Sequence, residues 1–218
     1  MAVRIITDSA ADVSEEFARE HGIAVAPLKT IFPDGEYVQG VNLSAQEFYE
    51  KLVESTEIPR TSQVTPFEFK ELFDEVVAAG DEAVVVTLSS KLSGTYESAC
   101  IASEGLEGRI CVVDSLSVTI GEHLLIERAV EMRGAGLTAA EIAAELEKER
   151  ERLTIIAALD TLEYLKKGGR ISSAVAFAGG ILNIKPVISV VDGAVELVGK
   201  ARGSKQGNNL LRVRSGRH

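Results

Sequence analysis

Val84-Val85-Val86-Thr87-Leu88-Ser89-Ser90-Lys91-Leu92-Ser93-Gly94-Thr95-Tyr96 passes from β-branched apolar residues into a small, hydroxyl-rich loop, then into a helix start near Thr95. An apolar run bounded by turn residues predicts a strand over residues 83–88, of the kind that a parallel sheet buries on both faces. Where such a strand feeds a helix through a short loop, unpaired backbone N–H groups point above the sheet and attract an anion. Arg60-Thr61-Ser62-Gln63 is a second hydroxyl-dense stretch of the same character.

Outward from this core the pattern repeats. Residues 3–6, 23–28 and 110–113 read as strands. Helices are predicted over 14–20 with Ser14 as N-cap, 44–55 with Ser44 and Glu47 forming a capping box, and 67–79 opened by Thr65-Pro66. Further helices are expected over 95–103, 121–134 and 138–150. Strands alternating with helices predict an α/β domain with a parallel sheet covered on both faces. Ligands of such sheets lie beyond the carboxyl ends of the strands, where Asp8-Ser9, residues 89–95 and Asp114-Ser115 fall.

After Leu153 the pattern changes. Residues 154–159 read as a strand, 162–167 as a short helix ended by Gly168-Gly169-Arg170, and 172–177 as a small-residue helix. Strands over 184–190 and 194–199 flank Asp192-Gly193, a dipeptide favoured in tight hairpins. The expected organisation is a parallel α/β domain over 1–153 and a smaller, incomplete α+β domain with antiparallel strands over 154–218, with a cleft between them. Residues 203–209 read as loop-forming, residues 212–218 carry no apolar face, and the end of the chain reads as a basic, disordered tail.

The chain has 218 residues and a formal net charge of −10, which argues against binding nucleic acid through its phosphates. From Lys166 onward the balance inverts, with ten Lys and Arg against Asp192 and Glu196. That skew fits either a docking face for an acidic partner or a charged tail. No apolar run approaches a membrane span, and no secretory signal opens the chain. Cys100 and Cys111 lack paired spacing and read as small core residues, so a reducing, cytoplasmic setting is expected.

Catalytic patterns are missing from the sequence. His21, His123 and His218 lack metal-ligand spacing, no G-x-S-x-G surrounds a serine, and no phosphate-binding glycine loop occurs. These absences weaken the hydrolase, zinc and nucleotide-binding readings, and no catalytic residue or cofactor is expected. Thr95 reads mainly as a helix cap. Ser93 reads as a donor to an anion, with Ser62 and the N–H groups near Gly94 and Thr95 in support. Neutral donors suit a carboxylate carried on an apolar tail. Two alternatives stay open: a module that binds or transfers a phosphate-bearing small molecule, with Mg2+ at Asp8 and Asp114, or a remnant whose cleft never closes.

Six blocks occur in order: residues 5–12 (IITDSAAD), 60–63 (RTSQ), 88–96 (LSSKLSGTY), 113–115 (VDS), 162–171 (LEYLKKGGRI) and 182–186 (LNIKP). Together they resemble the DegV family of bacterial fatty acid-binding proteins. The resemblance implies a two-domain protein that encloses one long-chain fatty acid between its domains, with Thr61 and Ser93 on the carboxylate. It further implies that some members present the acyl group to a separate fatty acid kinase. Arg170 and Arg202 match arginines tied to the head-group region and kinase docking. Two departures stand out. The family's late histidine block has no match here, and His218 is not its equivalent. Glu122-His123 stands where relatives usually carry small residues, which bears on the shape of the tail pocket.

Overall fold

Val, Ile and Ala dominate the strands of the central sheet, and its charged residues, Arg4, Asp8, Glu82 and Asp114, stand at or next to strand ends. The computed structural model describes residues 1–171 and 184–202 and divides into two units, Met1–Leu153 and Thr154–His218. Unit 1 begins with β1 (Val3–Asp8), a 3-10 turn (Ser9–Ala11), α1 (Glu15–His21) and β2 (Ile23–Ala26). It continues through β3 (Lys29–Phe32), β4 (Gly35–Val38), α2 (Ala45–Glu54), β5 (Arg60–Ser62) and α3 (Pro66–Ala78). It closes with β6 (Glu82–Thr87), α4 (Thr95–Ala102), β7 (Ile110–Asp114), α5 (Ile120–Gly134) and α6 (Ala139–Arg150).

The main sheet has the order β2-β1-β6-β7, and every pairing in it is parallel. Each residue of β6 is buried. The side chains of Val84 and Val86 pack on one face against Leu125 and Ile126 of α5 and Ile142 and Leu146 of α6. Val85 and Ala83 pack on the other against Phe69, Phe73 and Val76 of α3 and Ala99 of α4. The caps read from the sequence are present, Ser14 on α1 and the Ser44–Glu47 capping box on α2, and two further capping boxes form at Thr65–Glu68 and Thr138–Glu141. The chain leaves β1 for β2 on one side and returns to β6 on the other, so the strand order reverses between β1 and β6. A crevice opens at the carboxyl end of such a reversal.

A second, antiparallel sheet of order β4-β3-β5 lies within unit 1 and was not expected from the sequence. Its strands hide because hydropathy and burial disagree. In β3 the polar Thr30 is 0% exposed while Ile31 is 38% exposed. β5 is a polar three-residue edge strand. Cross-strand pairing, not alternation, defines both.

Unit 2 contains β8 (Ile155–Ala158), α7 (Glu163–Lys167), β9 (Ile184–Val191) and β10 (Ala194–Arg202). The strands form an antiparallel sheet of order β10-β9-β8. Asp192 (φ 47°) and Gly193 (φ 81°) make the hairpin turn, both in the left-handed region that a two-residue type I′ loop demands. β10 runs further than the sequence predicts, to Arg202, because its pairing with β9 continues to Ile184. The helix expected over 172–177 and the tail over 207–218 lie outside the described residues.

Candidate functional site

At the strand reversal, Asp8 ends β1 and Leu88 follows β6. The Leu88 N–H donates to Asp8 Oδ2 and the Ala10 N–H to Asp8 Oδ1, each at 2.9 Å. Asp8 is 0% exposed. Burial pushes its carboxyl up to about 6, while the two backbone donors pull the other way. This carboxylate fixes where the hydroxyl-rich loop leaves the sheet.

The loop then spends most of its donors on itself. The Ser89 N–H donates to Ser117 O at 2.8 Å, and the Ser90 N–H to Asp114 Oδ1 at 3.2 Å. Leu92 and Ser93 both donate to Ser89 O, at 2.9 and 3.1 Å, and the Lys91 N–H to Ser89 Oγ at 3.2 Å. The residue that caps α4 is Gly94, without a side-chain cap, so the sequence reading of Thr95 as the cap is corrected. Thr95 is the first residue inside the helix, 0% exposed. Its Oγ1 lies 2.9 Å from Ser93 Oγ, and its N–H donates to Ser93 Oγ at 3.3 Å. A hydroxyl at the first helical position cannot reach its own first-turn N–H groups, so it turns back to the preceding loop. Among the described residues the N–H groups of Gly94, Tyr96 and Glu97 have no acceptor.

Thr61 and Ser62 sit on the edge strand β5, opposite Thr30 and Lys29 of β3. Thr61 is exposed and Ser62 half-buried. Among the described residues the Ser62 hydroxyl makes only a long 3.5 Å contact, to Gln63 O. What joins this strand to the loop before α4 is Gln63. Its Nε2 donates to Ser98 Oγ of α4 at 2.8 Å, and its carboxamide fills the space where a Cβ on Gly94 would stand. Gly94 is therefore glycine for close approach, not for an unusual φ. Sequence reasoning quoted Gln63 but gave it no role. Its only signal was its place after two hydroxyl residues.

Asp8 and Asp114, named in the magnesium alternative, both accept backbone N–H groups; Asp114 Oδ1 also accepts the Leu116 N–H at 2.9 Å. Among the described residues no group of His, Cys, Asp or Glu is arranged to hold a metal ion. Glu122 is 0% exposed, in the first turn of α5. Thr7 donates to its Oε1 at 3.2 Å, and among the described residues its Oε2 has no partner. Burial first, and the Asp8 charge second, push this carboxyl well above the usual range.

In unit 2, Arg170 follows α7, and its Nη1 donates to Gly168 O at 2.6 Å. Arg202 ends β10 opposite Ile184. Both are exposed. Unit 1 also carries a groove of about 700 Å³ beside the end of β1, lined by Val13, Val25, Leu43, Phe48, Tyr49 and the polar Ser9 among others. Among the described residues no helix is long and apolar enough to cross a membrane.

A family profile described as "Uncharacterised protein, DegV family" matches residues 2–212. The DegV domain-containing protein of Caldanaerobacter subterraneus subsp. tengcongensis is 38% identical over 206 residues, covering 94% of this chain and 73% of that one. Among solved structures, a fatty acid-binding DegV family protein from Thermus thermophilus superposes with a TM-score of 0.88 at 34% identity, over 99% of this chain and 78% of that one. A stearic acid-binding protein from Eubacterium ventriosum gives a TM-score of 0.87 at 32% identity, over 98% and 75%.

Proposed function

The chain belongs to the DegV family, and from that membership we propose that it binds a long-chain fatty acid such as palmitate, with Thr61 and Ser93 donating to the carboxylate. The observation that carries this reading is the contact of Gln63 with Gly94 and Ser98. It draws the strand bearing Thr61 and the loop bearing Ser93 to one place, at the strand reversal where α/β sheets take ligands. The relatives that bind fatty acid, among them the Thermus thermophilus and Eubacterium ventriosum proteins, support the choice of anion.

Each hydroxyl bond to a charged head group contributes about 1.5–3 kcal/mol. Every methylene taken from water adds roughly 0.8 kcal/mol, so the tail supplies most of the affinity and the hydroxyls set its direction. The unpartnered N–H groups of Gly94, Tyr96 and Glu97 add a helix N-terminus, which favours negative charge. Ser62 is a supporting donor.

The reading calls for no cofactor and no covalent chemistry by this chain. Its finer part is what the family resemblance implies: enclosure of the tail by a two-domain protein, and phosphorylation of the presented acyl group by a separate fatty acid kinase. Arg170 and Arg202 are the residues through which the head-group region and that kinase would be met. Denaturing the purified protein and analysing its organic extract by mass spectrometry tests the reading. About one fatty acid per chain is expected; a phosphorylated metabolite, or an empty extract from well-folded protein, overturns it.

A further inference from the structure

The pair Ser93 Oγ and Thr95 Oγ1, 2.9 Å apart, admits either oxygen as donor, and burial decides between them. Thr95 is 0% exposed, and among the described residues Ser93 is the only partner of its hydroxyl. Were Ser93 the donor, the Thr95 proton would be enclosed with no acceptor, an arrangement folded proteins avoid. Ser93 is only half-buried, so its own proton can leave the cluster. The satisfied arrangement has Thr95 donating twice to Ser93 Oγ, once from its hydroxyl and once from its N–H at 3.3 Å. Both lone pairs of Ser93 are then engaged, and the one thing left to Ser93 is to donate outward.

We infer that Thr95 is a positioning residue: its buried hydroxyl directs the Ser93 proton toward the head group, so that the site takes an acceptor such as a carboxylate. This rests on the fatty acid-binding reading and adds a direction to it. Bonds accepted by Ser93 also polarise its O–H and strengthen what it donates. A head group that must itself donate to Ser93 would find no lone pair free, whereas a carboxylate only accepts.

Thr95→Val keeps the shape and the N–H but removes the directing hydroxyl; Thr95→Ser restores it. Binding of palmitate and of hexadecanol to the full chain is measured for both variants and for the unmodified protein. The inference expects palmitate to weaken about three- to tenfold in Thr95→Val, hexadecanol to change less than twofold, and Thr95→Ser to recover palmitate binding. The opposite bond direction predicts the opposite sign, because losing Thr95 Oγ1 would then free the Ser93 proton. Palmitate binding that is unchanged or tighter in Thr95→Val overturns the inference. So does an equal loss for both ligands, which marks a packing role. If the unmodified protein binds neither ligand, the fatty acid-binding reading itself fails, and the inference falls with it.

Discussion

Asp8 accepts the backbone N–H of Leu88 at 2.9 Å, tying the ends of two parallel strands that lie 80 residues apart in the chain. A buried carboxylate is an expensive latch. It holds because two N–H donors stand where water would have been. The consequences of this and of the neighbouring contacts can be measured.

The latch makes stability depend on pH. The folded-state pKa of Asp8 is raised from 3.8 to about 6, so the folded chain holds a proton that the unfolded chain has lost. Its contribution is fully present below 3.8 and is lost as pH rises through about 6. The difference is on the order of 3 kcal/mol. Glu122, raised in the same direction with Asp8, Asp12 and Asp114 as like-charged neighbours, extends the loss to higher pH. Thermal melting between about pH 5 and pH 8 should show a falling Tm, and Glu122→Gln should flatten its upper part. A Tm that rises over that interval in the parent chain, or equal slopes in parent and variant, would contradict these assignments.

Gly94→Ala should destabilise the chain by about 1–3 kcal/mol, through overpacking against the Gln63 carboxamide and loss of its bond to Ser98. The backbone at Gly94, with φ −77°, accepts alanine. The cost should therefore largely vanish in a Gln63→Ala background. A denaturation double-mutant cycle with a coupling near zero would rule out this explanation.

Thr61→Ala and Ser93→Ala should each weaken palmitate about tenfold or more without abolishing binding, since the lost bonds contribute about 1.5–3 kcal/mol against a larger apolar term. Dissociation constants from a displacement assay read this directly. No change in either variant would remove both residues from the site.

Gly193→Ala should cost about 1–2 kcal/mol, because φ of 81° forces a Cβ against the following carbonyl. Asp192→Asn should be close to neutral, as asparagine tolerates the left-handed region at that turn position. Chemical denaturation followed by a probe in unit 2 checks both; an unaffected Gly193→Ala would mean that the turn is not of type I′.

How much was legible follows from which interactions are local. The helix caps at Ser14 and Ser44 could be read because a cap is settled within four residues. The turn at Asp192-Gly193 could be read because φ preference is a property of single residues. The sheet β4-β3-β5 could not, since Thr30 is buried and Ile31 exposed by partners elsewhere in the chain. Thr95 was misread as a cap because capping rules do not see a hydroxyl two residues upstream competing for the bond.

The amino-acid sequence by itself determined the strand and helix alternation, the parallel α/β character of the first unit, the antiparallel hairpin of the second and the family. Those follow from hydropathy period, turn chemistry and short ordered blocks, all carried along the chain. The tertiary structure alone decided that Gln63 meets Gly94, that Asp8 and Glu122 are enclosed, and that the Ser93 and Thr95 hydroxyls meet. Each of those depends on which groups lose contact with water, and burial is a property of the packed molecule that no stretch of sequence possesses on its own.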